Sequence, residues 1–112
     1  MPASERGSVA AEFAVAMPAV LLVLATALGG LQVAGLQLQA QDAAADAARS
    51  YARGDSAGSV AARLSRQIPG ARVVRFARGD LVCARVTAAP AGPIARLGIR
   101  VSATSCALSG GR

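Results

Sequence analysis

The residue of this chain best placed to do chemistry is Glu12, the only charged side chain between Ser8 and Gln41. A carboxylate at the edge of a membrane-spanning segment is costly, so its presence there points to a use. Gly7 lies five residues before it, closing a short polar leader that contains Glu5 and Arg6, and Phe13 follows it directly. Cys83 and Cys106 are the other reactive groups. In an exported domain a lone pair of cysteines is most simply a disulfide. Closing a loop of that size stabilises a thin domain by roughly 3 kcal/mol. The spacing is far from the C-x-x-C of redox proteins.

The inventory argues against an enzyme. The chain has no His and no Lys, which removes the commonest general base and the commonest metal ligand. Two cysteines without His do not make a structural zinc site. Asp42 and Asp46 are four apart on a helix predicted to be exposed, which suits solvation rather than acid–base work. No Gly-rich loop follows a strand in phosphate-binding fashion. No catalytic residue, metal or cofactor is expected.

The elements that position Glu12 follow from hydropathy. Phe13 to Gln41 is a run of 29 residues without a charge. As a helix it spans roughly 44 Å, more than the ~30 Å of bilayer hydrocarbon. The strongly apolar part is shorter, and the membrane segment is placed at about 13–33. From Gln32 the glutamines Gln37, Gln39 and Gln41 interleave with Val33, Leu36 and Leu38, so the helix leaves the bilayer and continues above it. Pro18 removes one backbone donor and should kink or loosen the helix, which membrane helices tolerate. The pairs Ala25/Gly29 and Gly30/Ala34 permit close helix approach, although plain Ala/Gly abundance explains them as well. The charges flanking the span are about +1 before it and −1 after it, which puts the N-terminus in the cytoplasm and the bulk of the chain outside. An ordinary secretory signal cut after Ala40 and a plain single-pass anchor are the competing readings.

The string Arg6-Gly7-Ser8-Val9-Ala10-Ala11-Glu12-Phe13-Ala14, then Pro18, then Leu21-Leu22-Val23-Leu24, closely resembles the TadE-like family. These are minor pilin or pseudopilin components of the tight-adherence, Flp-type IV pilus machinery. The resemblance covers about residues 6–50 and stops there. It implies a prepilin-type leader over 1–7, cleaved between Gly7 and Ser8 by a prepilin peptidase, with Glu12 and Phe13 as the recognition pair. It also implies other pilin or pseudopilin subunits, an inner-membrane assembly platform and the lipid bilayer as partners. Cleavage would leave a free amine on Ser8 in a nearly apolar setting. Amine and carboxylate each relieve the cost of burying the other. Pairing the amine of one subunit with the carboxylate of its neighbour would set the axial register.

The long helix is predicted over 8–53, with Gly54 ending it and Asp46–Arg49 as an i,i+3 pair. A second helix is predicted over Ala57 to Gln67, capped by Ser56 and stopped by Pro69-Gly70. Arg72 to Ala77 and Leu81 to Thr87 flank a turn at Arg78-Gly79-Asp80 and read as a hairpin. Pro90 to Pro93 reads as a loop. Leu97 to Leu108 holds a third strand, with Ile99, Val101 and Ala103 alternating against Arg100, Ser102 and Thr104. The expected fold class is therefore α+β: a long N-terminal helix, membrane-spanning in its first half, then a short helix and a small three-stranded antiparallel sheet. Residues 54–112 form the extracytoplasmic domain, with a disordered tail over 109–112.

From Asp42 onward there are 11 Arg and 4 Asp. Arg72, Arg75, Arg78 and Arg85 cluster around the hairpin, which invites comparison with basic nucleic-acid surfaces. With only Phe76 nearby, base stacking has little to work with, and a solvated arginine face is the better reading. Nucleic acid is not expected as a partner. An exported DNA-binding minor pilin, and an anchored or secreted basic domain of unrelated role, remain the alternatives.

Overall fold

Alanine dictates the architecture. In the computed structural model, which describes residues 3–109 (backbone only for 3–5), helix α1 runs Ala3–Ala52. Ala40, Ala43, Ala44, Ala47, Ala48, Tyr51 and Ala52 are all buried. This is a continuous i, i+3, i+4 stripe made almost wholly of methyl groups. Small side chains let the helix lie close on a sheet and lose little rotamer freedom in doing so.

Helix α2 spans Ala57–Gln67, strand β1 Arg72–Arg78, strand β2 Leu81–Ala88 and strand β3 Val101–Leu108. The fold class is α+β, as expected. The sheet is antiparallel in the order β1-β2-β3. Val82, Ala84, Val86 and Ala88 of β2, Val101 and Ala103 of β3, and Val60 and Leu64 of α2 complete the core, with Ile68 just beyond α2. Tyr51 is the one aromatic in it. The chain divides into two compact units, Met1–Leu31 and Gln32–Arg112. The second unit thus begins inside α1, not at the helix end. In the first, the apolar side chains stand exposed, among them Val15, Leu22, Val23 and Leu31.

The local signals act where expected. Gly54 takes φ +93°, and the Gly54 and Asp55 amides donate to the carbonyls of Tyr51 and Ser50. Those two bonds satisfy the last orphan carbonyls of α1 in a Schellman motif. The Ser56 hydroxyl accepts from the Ser59 amide at 3.1 Å and caps α2. Between Arg78 and Leu81, Gly79 has positive φ and Asp80 does not, the pattern of a two-residue II′ hairpin turn.

Some expectations are corrected. The helix begins at Ala3, within the predicted leader, and ends at Ala52. Asp46 does not pair with Arg49. Its carboxylate lies 3.4 Å from Nε of Arg63, on α2, because packing α2 against α1 brings that guanidinium closer. The loop expected over Pro90 to Pro93 leads into a 3-10 turn, Pro93–Leu97. It closes on Gly98 in the left-handed region (φ +71°), so the third strand starts only at Val101 and Ile99 lies outside it. The tail expected over 109–112 falls outside the described residues from 110 on.

Candidate functional site

On α1, residues 7, 8, 12 and 13 are helical and exposed. Arg6, Val9, Ala10 and Phe13 fall at i, i+3, i+4 and i+7 and share one shallow surface depression. Phe13 is 64% exposed. Ser8 and Glu12 are four apart and therefore neighbours one turn up the same face. A free amine on Ser8 would stand within reach of the Glu12 carboxylate of its own chain. Gly7 sits in open space. It weakens the helix by up to about 1 kcal/mol relative to Ala, next to the bond that the resemblance implies is cut.

The cysteines meet. Cys83 and Cys106 are direct partners across β2 and β3 and form a disulfide, with their Cα atoms 4.0 Å apart. The bridge lies on the sheet face turned away from the α1 stripe, since Val82 and Ala84 on either side of Cys83 belong to the helix-facing core.

The four hairpin arginines do not form one patch. By alternation and register, Arg72, Arg78 and Arg85 share the disulfide face, while Arg75 points to the other. Arg75 lies 5.7 Å from the centroid of the Tyr51 ring. Arg78 and Arg85 lie 5.6 and 5.2 Å from the Phe76 ring, so Phe76 is occupied by cation–π contacts within the chain. Burial pushes the Tyr51 phenol above its ordinary value, and the Arg75 charge partly opposes this.

Two features have no clear mark in the sequence. Ser50 is fully buried, and its hydroxyl accepts from Nη2 of both Arg53 and Arg63. Arg53 also pairs with Asp55 at 3.1 Å. The glutamines that follow the apolar run act as ties: Gln32 Nε2 donates to the Ala91 carbonyl at 2.7 Å and Gln37 Nε2 to that of Ser102 at 3.1 Å. Among the described residues no group of three or more His, Cys, Asp or Glu could hold a metal ion.

The described residues thus define a chain with one helix long and apolar enough to cross a membrane, leading into a small disulfide-bonded α+β domain. Residues 7–49, somewhat under half of the chain, are similar to the family described as TadE-like protein. No curated protein and no solved structure matches the chain.

Proposed function

We propose that this chain is a minor pilin or pseudopilin of the Tad, Flp-type IV pilus system, with a structural rather than catalytic role. A prepilin peptidase cuts between Gly7 and Ser8. The apolar part of α1 holds the subunit in the inner membrane with its N-terminus in the cytoplasm. The α+β domain stands outside, where an oxidising compartment sustains a disulfide. The observation that carries the reading is the TadE-like match over 7–49, which takes in Gly7, Ser8 and Glu12 together. Before assembly the Ser8 amine is neutralised by Glu12 of its own chain. In an assembly the Glu12 of a neighbour takes over, and because a buried ion pair tolerates little misplacement it fixes the register.

A DNA-binding variant of this role is disfavoured by Phe76, whose ring is already engaged by two guanidiniums. Intact-mass and N-terminal analysis of protein from native membranes tests the proposal. A chain beginning at Ser8 supports it. A chain beginning at Met1 or Pro2 would mean a plain anchor, and one beginning near Gln41 ordinary secretion. Either result overturns it.

A further inference from the structure

The connection between β2 and β3 lies beside the point where the apolar run ends. Gln32 is bonded directly to Leu31, the last residue of that run, and its side chain donates to the Ala91 carbonyl in this connection. That tie keeps Ala91 within a side chain's length of Gln32, at the sequence-predicted end of the membrane segment. The 3-10 turn then presents Ile94 and Leu97 on one side, because residues three apart eclipse in a 3-10 helix. Ile94 is half-buried, while Leu97 is 72% exposed, the most exposed leucine of the Gln32–Arg112 unit. Arg96 and Arg100 flank it, and no acidic residue occurs anywhere after Asp80. In water an exposed Leu gains nothing and the arginines are merely solvated. At a bilayer surface the Leu enters the acyl boundary and the guanidiniums meet lipid phosphates.

We propose that this connection docks on the headgroup region of an anionic bilayer, with Leu97 as the apolar anchor and Arg96 and Arg100 as the phosphate contacts. Docking fixes the rotation of the domain about the helix exit. The inference rests on α1 crossing a membrane. It does not depend on peptidase cleavage or on which side the domain occupies.

The chain has no Trp, so a single introduced Trp reports its own surroundings. The full chain carrying Leu97→Trp is reconstituted in vesicles of phosphatidylcholine, with or without phosphatidylglycerol, and quenched with lipids brominated near the headgroup. Leu22→Trp, near the middle of the apolar run, is the control for spanning and is quenched with lipids brominated deep in the acyl chains. The expected result is a blue-shifted, quenched Leu97→Trp emission in the anionic vesicles. Adding Arg96→Gln or Arg100→Gln should lower the docked-to-undocked ratio about fivefold each, the weight of one base at an anionic surface. Quenching of Leu22→Trp without quenching of Leu97→Trp overturns the docking proposal alone. Equal quenching of Leu97→Trp with and without the anionic lipid overturns the role of the arginines. Absence of quenching at Leu22→Trp overturns the membrane reading itself, and docking with it.

Discussion

Replacing Cys83 and Cys106 together by alanine should bring the domain to the edge of unfolding. The bridge joins residues 23 apart. In the chain-entropy account, opening a loop of that size returns about 11 cal/mol/K to the unfolded chain, or about 3.4 kcal/mol at 25 °C. The unit from Gln32 onward has roughly 80 residues. At about 0.05–0.15 kcal/mol per residue its stability is on the order of 4–12 kcal/mol. A core mostly of alanine and valine, with only Leu64, Ile68 and Tyr51 as larger side chains, belongs at the low end of that range, so the loss is a large share of the total. Tyr51 supplies the assay. It is the only Tyr, there is no Trp, and it packs against Val82 and Ala84 beneath the sheet. Its emission in a urea titration of the nanodisc-held chain therefore follows the domain and not the membrane helix. With a urea slope of about 1 kcal/mol per molar for so small a domain, the midpoint should fall by about 3 M. Reduced native chain should fall equally. A drop below about 1 M in both refutes the reasoning. A drop in the alanine variant alone would assign the loss to the packing of Cys83, which is wholly buried.

The polar cluster at the end of α1 gives a contrast: Ser50→Ala should cost about 1–2 kcal/mol, since it strips a buried acceptor from two guanidiniums. Asp46→Asn should cost under about 1 kcal/mol, since both partners of its ion pair are more than a third exposed; chemical denaturation of the two variants ranks them, and the reverse order would refute this account of the cluster. Tyr51 predicts an alkaline limit. Its folded phenol holds its proton above the ordinary 10.0, so its contribution is fully present below that pH and is lost as pH rises through the folded value. Tyr51→Phe should flatten that decline in a stability-against-pH series, and an unchanged decline would place its cause elsewhere. Glu12→Ala should leave membrane insertion intact and abolish co-purification with assembled pilus subunits; normal co-assembly would remove the register role.

Much of this fold was legible because its signals are local. Ser56 and Gln67 bound α2 as predicted, since a cap and a Pro-Gly stop act through their own neighbours. The hairpin register follows from Gly79-Asp80 together with the alternation on either side. The sequence is silent where the partner is distant. Arg49 is three residues from Asp46, yet the aspartate meets Arg63, because the geometry between α1 and α2 decides the pair. Ser50 reads as one more small residue in an alanine-rich helix, and only tertiary packing buries it under two arginines. The 3-10 turn of five residues is too short for any period to register, so Ile99 joined the strand pattern by an accident of alternation. At the N-terminus, Gly7, Glu12 and Phe13 were readable by spacing alone. The roles proposed for them involve a protease and neighbouring subunits, which the fold of a single chain does not display.

Among the described residues strand β1 has β2 on one side and no strand on the other, so a row of main-chain donors and acceptors is left open to any second sheet that arrives in register. Its seven residues include Arg72, Arg75 and Arg78. Were two copies to meet along this edge, six guanidiniums would gather across a strand spacing of about 4.8 Å. Each like-charged pair at such a distance opposes the contact by about 1 kcal/mol even in bulk water, and by more as water is squeezed out. The arginines thus act as gatekeepers against self-templating. In the proposed assembly, copies held together by their helices at high local concentration would be kept from fusing their sheets into one.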